Sequence, residues 1–545
     1  MNKVQVLFFV TLLFAASLYA HNGCGTSSII RNLREQRANQ TTNQPLAYTS
    51  IFYCQAEDFY DSVYSKKTSH FQIFYTLDGP HKTTREFIDS LAKNIEYAWD
   101  FHINKTGMLP PQGTSESYHY QKSVESGLYP VEVLEISLLR NKFSLLQHDC
   151  DRGCYGITIP DNKQPSKSTL VIDNDFKFPA ITNPQKDSVH FNEKSCTYNV
   201  SDQELHNTTY GYSFAKKWSQ GIRITTAHEL YHAIQFRYLD ISANSFWFEA
   251  SAAGVEEIVH PGIDDYITYL PNMASSVGIS LPNLLEDYGA SVLFLYLYNH
   301  VDKKMDKSIW ESFSKENAKP FEYHFSQAAQ KKGLSADSLF HDFAVRLSFA
   351  GNKTSLADTS FWINNDQNLW PEFKHSPTSS TYSPPQTPEL AFNFYTNGKP
   401  DLSKFKGKAS VAIIKKDSYK IRFLPTLNSV DSAFIDINNM SDIDSTVWIL
   451  SHFKEENKIP YEVKDSTLRV FPVPWRHGNL CFSPLPINKD YIEIRNRRGN
   501  LVSTEKYDNN MLCLDEARVK KLMVPGVYRF RVGNKGKLKD FIIVY

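Results

Sequence analysis

One run of this chain combines residue types and spacing that could do chemistry: Ile224-Thr225-Thr226-Ala227-His228-Glu229-Leu230-Tyr231-His232-Ala233-Ile234-Gln235. On a helix, positions four apart stand one above the other on one face. His228 and His232 can therefore offer two neutral imidazole nitrogens to one ion, a donor pair that suits Zn2+. Glu229 follows the first histidine directly. That places a carboxylate beside the ion's open position, where it can take a proton from water. Ile224, Ala227, Tyr231 and Ile234 form an apolar stripe beside the histidine face and predict a packed helix. With 17 His in 545 residues, such a run arises by chance in about a few per cent of chains. A second signal is needed to separate a metal site from two packed histidines.

That signal is a carboxylate. Sixteen residues separate His232 from Glu249, within Phe246-Trp247-Phe248-Glu249-Ala250-Ser251-Ala252-Ala253-Gly254-Val255-Glu256-Glu257. A second helix carrying Glu249 against the first would complete a His-His-Glu zinc shell and leave a fourth position for water or substrate. The rival third-ligand pattern, H-E-x-x-H-x-x-G-x-x-H, fails, because Gln235 and Tyr238 stand where Gly and the third His would be. Glu256 lies two helical turns beyond Glu249 and could orient a ligand histidine by accepting its other N–H. Glu257 reads equally as part of a solvated helix face.

His228-Glu229-Leu230-Tyr231-His232 followed by Trp247-Phe248-Glu249-Ala250-Ser251-Ala252 resembles the gluzincin clan of zinc metallopeptidases. There the glutamate of a W-x-E-G-x-A type segment is the third ligand. A closer resemblance is to a bacterial group of secreted metalloproteases known mainly by inference. It runs over roughly residues 70 to 350, through Phe71 to Gly79, Asn94 to Phe101, Val171 to Phe176, the histidine helix and Phe343-Ala344-Val345. This chain departs from it at Ala250-Ser251, where Gly-Thr is usual. The resemblance implies a zinc-dependent peptidase acting on a peptide or protein substrate, with His228, His232 and Glu249 as ligands and Glu229 as general base on metal-activated water. The lack of a G-x-M-E-N segment favours endopeptidase action. Glu286-Asp287-Tyr288-Gly289-Ala290-Ser291-Val292 resembles, two residues out of register, the helix start that carries an oxyanion-stabilising Tyr in related aminopeptidases. Tyr288 is thereby the first candidate for that role, ahead of Tyr266 and Tyr269.

These residues must be positioned by a sizeable fold. The chain is 41% hydrophobic, 22% charged and 14% aromatic, enough for packed cores and two or three domains. Lys+Arg and Asp+Glu are 59 each, so no net charge draws the protein toward nucleic acid or an anionic membrane. Residues 1–20 have the form of a signal peptide: Lys3, an apolar run Val6 to Ala16, and a small residue at Ala20. No later stretch is long and apolar enough for a transmembrane segment. Secretion or a cell-surface location is expected, and with it disulfides among the seven cysteines. Cys24 with Cys54, Cys150 with Cys154 or Cys196, and Cys481 with Cys513 are the plausible pairs.

Residues 21–68 are polar and read as a lead-in or pro-segment. Residues 69–374 read as the metallopeptidase domain. A strand is expected over Phe71 to Tyr75, and a helix through Phe87, Leu91, Ile95 and Ala98. Further strands fall at Tyr129 to Ile136 and Thr169 to Ile172, with mostly helix from about 205 to 350. Residues 375–389, with four prolines among Ser and Thr, read as a linker. Residues 390–545 show short β-type runs and predict an antiparallel, sandwich-like domain. The expected fold class is α+β: a gluzincin-like domain with its zinc site on two helices, then this β domain. Within 485–545, Ile492 to Val502 and the Pro525-Gly526-Val527-Tyr528 segment resemble the C-terminal sorting domain of type IX secretion substrates, which implies secretion machinery as a partner. Two other readings stand beside the peptidase: an inactive zinc-binding surface or adhesion protein, and a structural protein whose histidines merely pack.

Overall fold

The computed structural model describes Thr26 and most of residues 62–543, leaving out 137–153, 178–186, 199–216, 239–245, 378–386, 425–444, 455–468 and some shorter runs. The expected signal peptide, most of the lead-in, Cys24, Cys54 and Cys150 lie outside the described residues. The fold is α+β, with antiparallel sheets present.

The first sheet comprises β1 (Tyr64–Lys67), β2 (Phe71–Tyr75), β3 (Gln112–Gly113), β4 (Tyr129–Leu134), β5 (Gly156–Pro160) and β6 (Lys167–Asp173), in the order β1-β2-β4-β6-β3. β2, β4, β6 and β3 run parallel, whereas β5 runs antiparallel to β6 at the edge. β2, β4 and β5 are buried at every position. The alternation expected at Phe71 to Tyr75 does not translate into one solvated face, because the strand is buried on both.

Helix α1 (Arg85–Trp99) starts where Thr84 accepts the Phe87 amide, and it buries Phe87, Leu91, Ile95 and Ala98 at the expected spacing. Its end runs into a π-helical turn, Asp100–Lys105. Helix α2 (Trp218–Gln235) carries the histidines and packs against α1, β5, β6 and α3 (Trp247–Val259). Every residue of α2 from 224 to 235 is buried. The expected apolar stripe is therefore part of a helix enclosed on all sides, and its polar residues must find partners inside the protein.

Helices α4 (Leu270–Ser275), α5 (Ser291–Tyr296), α6 (Met305–Phe313), α7 (Phe321–Lys331) and α8 (Ala336–Leu347) complete the helical part. Before α2 lies an antiparallel pair, β7 (Asp187–Phe191) and β8 (Lys194–Tyr198). After the helices a five-stranded sheet follows: β9 (Ser376–Pro377), β10 (Ala391–Thr396), β11 (Lys408–Lys415), β12 (Ser418–Leu424) and β13 (Ser445–His452), ordered β12-β11-β13-β10-β9. It covers α8, where the buried His341 lies 2.8 Å from Ser451 Oγ and 2.6 Å from Ser410 Oγ. One apolar cluster has members on both sides of the expected linker at 375–389, from Phe71 to Phe373 and from Leu390 to Phe453.

A separate core holds the C-terminal strands: β14 (Arg469–Phe471), β15 (Leu480–Ser483), β16 (Tyr491–Asn496), β17 (Leu501–Lys506), β18 (Leu512–Leu514), β19 (Gly526–Val532) and β20 (Lys539–Ile543), with helix α9 (Glu516–Leu522). Cys481 and Cys513 face each other across β15 and β18 and are joined by a disulfide. Cys154 is also disulfide-bonded. Among the described residues no helix is long and apolar enough to cross a membrane.

Candidate metal centre

α2 and α3 bring His228, His232 and Glu249 to one point. The two Nε2 atoms are 2.9 Å apart, and Glu249 Oε2 lies 3.3 Å from His228 Nε2 and 3.4 Å from His232 Nε2. A tetrahedral ion with bonds of about 2.05 Å holds its ligand atoms about 3.3 Å from one another. Both carboxylate distances match that value, and the imidazole pair is slightly tighter. The three side chains are 4%, 0% and 3% exposed, yet neither oxygen of Glu249 has a hydrogen-bond partner among the described residues. A buried carboxylate facing two imidazole nitrogens in this way is suited to share a cation with them. This His-His-Glu group could hold a metal ion.

Burial pushes the Glu249 carboxyl up, but His232 and His228 beside it more than offset this and hold it well below the usual carboxylate range. It sits in the first turn of α3, where the helix dipole also favours negative charge.

The outer nitrogens are fixed as a metal site requires. His228 Nδ1 donates to Glu256 Oε1 at 2.5 Å, the role expected of Glu256. His232 Nδ1 faces Gln235 Oε1 at 2.7 Å. Gln235 Nε2 donates to Phe248 O at 2.9 Å and Ser251 Oγ at 3.0 Å. With its amide hydrogens so used, Gln235 can only accept from His232, which leaves the Nε2 lone pair facing Glu249. Gln235 thus ties α2 to the turn of α3 that carries Glu249. His232 also stacks on Phe248, ring centroids 4.1 Å apart. Behind the site, Asp306 accepts from both Tyr231 and Trp247 and joins the two helices again. His102, held neutral by burial with its pKa lowered to about 3, can only donate to the Ala227 carbonyl, at 3.2 Å.

Glu229 points the other way, toward β5. Its Oε2 lies 2.8 Å from Thr158 Oγ1 and 3.0 Å from Thr26 Oγ1, while Oε1 has no partner among the described residues. Gly156 makes this approach possible. A Cβ there would lie 2.5 Å from Glu229 Cγ and 2.7 Å from Thr225 Cγ2. A small cavity adjoins His228 and Glu229, lined also by Tyr155, Ile224, Thr225, Glu256, Asp265, Tyr269 and Tyr288. Tyr288 stacks against His228 at 5.8 Å between centroids and against Tyr269 at 4.7 Å. Tyr266 is engaged elsewhere: its hydroxyl donates to Asp366 and accepts from Trp370. Burial, and Glu256 beside it, push the Asp265 carboxyl up to about 8.

Glu257 is buried rather than solvated. With Asp264 and Asp366 it forms a second group of acidic side chains whose oxygens approach within 4.8 Å of one another. The sequence offered no spacing signal for Gln235, Thr158, Gly156, Asp306 or Thr26. Of these only Gln235 carried a cue, as a polar residue three positions past a ligand on a helix otherwise apolar there.

No family model matches the sequence, and no curated protein matches it. Among solved structures the chain is similar to PorZ, described as an essential bacterial surface component of the type-IX secretion system of Porphyromonas gingivalis. That similarity is at 16% identity over 18% of this chain and 14% of that chain, with a TM-score of 0.15.

Proposed function

We propose that this protein is a zinc-dependent peptidase of the gluzincin type, with His228, His232 and Glu249 as ligands and Glu229 as general base. The observation that carries the reading is the division of labour in one buried site. Three donor atoms converge, while a fourth side chain, the carboxylate of Glu229, lines the same cavity as His228, is held by Thr158 and makes no contribution to the convergent set. When bound, the ion would supply a Lewis acid that polarises a peptide carbonyl and acidifies water. Glu229 takes the proton of the attacking water and passes it to the departing amine. Glu256 and Gln235 keep the imidazoles in the ligating tautomer. Tyr288, on the cavity wall beside His228, is the proposed donor to the developing oxyanion. The substrate class is peptide or protein, and we place the protein outside the cell, in keeping with its disulfides. Residues 485–545 would then serve export, on the strength of the resemblance at Ile492 to Val502 and Pro525 to Tyr528.

The test is metal analysis with casein hydrolysis, with and without a chelator, on the wild type and Glu229→Gln. The wild type should bind one zinc per chain and cleave casein. The variant should keep its zinc and lose activity by about a hundredfold or more. A variant that loses its metal, or stays near wild-type activity, removes Glu229 from this role.

A further inference from the structure

Asp265 opens the short 3-10 turn Asp265–Tyr269, which follows α3. It is 8% exposed and lines the cavity beside His228. Among the described residues its carboxylate accepts no hydrogen bond and makes no ion pair. It therefore bonds to no ligand and does not orient the metal shell. Glu256 lines the same cavity. Its Oε1 accepts from His228, but its Oε2 has no partner among the described residues. With Glu229 the lining holds three carboxylates and no lysine or arginine. A nearly buried, unpaired acid is stabilised by a cation set against it. Two carboxylates are too few for a calcium cage, and among the described residues Asp265 belongs to no group of three metal-ligating side chains. An ammonium needs only acceptors for its N–H bonds. The cavity is small, which suits a compact ammonium better than a planar guanidinium. Its wall is aromatic: Tyr288 stacks on His228 at 5.8 Å between centroids, and Tyr269 on Tyr288 at 4.7 Å. These rings lead from a metal ligand to the turn that carries Asp265.

Resting on the peptidase reading, we propose that Asp265, with Glu256 Oε2, forms the specificity subsite and takes the ammonium of a lysine side chain next to the scissile bond. The substrate's carbonyl lies at the metal, and the lysine stem runs along Tyr288 and Tyr269 to Asp265. The rings cover the methylenes, and their faces also attract the cation. Without a cation, burial and Glu256 push the Asp265 carboxyl up to about 8. An ammonium in contact favours the charged form, so the carboxyl gives its proton to solvent as the lysine enters. A neutral chain of equal length leaves both carboxylates without a donor, and an acidic chain is repelled by them.

The test uses the full, zinc-loaded chain and two readouts. Calorimetry, which needs no turnover, compares two N-acetylated peptide hydroxamates, one with a lysyl and one with a norleucyl side chain beside the hydroxamate. Kinetics compares N-acetylated peptides with Lys, Nε-acetyl-lysine, Arg or norleucine at the matching position. The wild type should bind the lysyl hydroxamate about tenfold or more tightly than the norleucyl one, because a site built for a polar group rejects the analogue that lacks it. Its kcat/KM should be highest for the Lys peptide, by about tenfold or more over norleucine and Nε-acetyl-lysine, with Arg below Lys. Nε-acetyl-lysine removes the charge without touching the protein, so this arm does not depend on a variant. Asp265→Asn should keep its zinc and lose the lysyl preference in both readouts. Equal binding of the two hydroxamates by the wild type, or a lysyl preference that Asp265→Asn retains, overturns the proposal. So does a norleucyl peptide that matches the Lys peptide once its amino terminus is freed, since the cation taken would then be an α-ammonium. Hydroxamates distinguished as expected with no peptide cleaved would overturn the peptidase reading and leave the ammonium subsite standing. Failure of the wild type to bind either hydroxamate overturns both.

Discussion

The part of the molecule around α2 and α3 and the C-terminal strands solve opposite packing problems. In the C-terminal unit the inner positions are apolar: Phe482, Ile492, Ile494, Phe530, Phe541 and Ile543 make the core. Its charges stay outside. On β16 and β19, Glu493 accepts from Arg495 and Arg531 on the face opposite Ile492 and Ile494. Around α2 the charges are inside. Six polar side chains, His228, Glu229, His232, Gln235, Glu249 and Glu256, are all 7% exposed or less. Burying such groups costs several kcal/mol each by order of magnitude unless each is paired. An arrangement that puts so many together is explained by a ligand, whereas the C-terminal core needs none.

The largest break of this comparison comes from removing one ligand. Glu249→Ala should reduce zinc from one per chain to near zero, and the thermal midpoint should cease to respond to added zinc. Wild-type protein with zinc at a thousandfold over its dissociation constant should gain about 4 kcal/mol. The C-terminal unit should not change. Zinc retained at full stoichiometry by Glu249→Ala, measured after dialysis, would move the third ligand elsewhere.

The complementary break leaves the metal alone. Cys481 and Cys513 close a loop with a sequence separation of 32. Replacing both by Ser should destabilise the C-terminal unit by about 2–4 kcal/mol, because its small core has little else to constrain the unfolded chain. Zinc content and the unfolding of the larger part should stay as in the wild type. A loss of zinc would show that the two cores are coupled.

Legibility followed the same divide. β16 and β19 were readable because one face is buried and the side chains alternate. α1 was readable from its helical period. That His228 and His232 share one face of α2, and Glu249 and Glu256 one face of α3, was readable from helical spacing. β5 was missed. Gly156-Ile157-Thr158-Ile159-Pro160 is short, and its importance lies in what crosses it, not in its own pattern. Gln235, Asp306 and Thr26 act through contacts with residues 13 to 203 positions away, and no local period reports such contacts. That one core takes in residues on both sides of 375–389 was hidden for a similar reason. Prolines mark the chain's local path, while β10 returns Phe392 and Phe394, and β13 Val447 and Ile449, to the helical core.

The smallest effect concerns a buried carboxylate outside the metal site. Burial first, then Asp366 beside it, push Glu257 up to about 8, and Asp264 adds to the rise. Among the described residues Asn364 is its side-chain donor, at 3.2 Å. An acid whose folded-state value exceeds its unfolded one, about 4.5, binds its proton more tightly in the fold. Its contribution is therefore fully present below about pH 4.5 and is lost as pH rises through about 8. Glu257→Gln keeps the shape and removes the charge. Between pH 5 and 9 the wild type should lose stability relative to this variant, by roughly 1–2 kcal/mol at the upper end. At pH 5 the two should differ little. Denaturant titrations at pH 5, 7 and 9 measure the difference directly. An equal gap at all three values would mean that Glu257 does not change protonation over this range. Zinc content, read alongside, should be unchanged, because Glu257 belongs to the second acidic group and not to the convergent one.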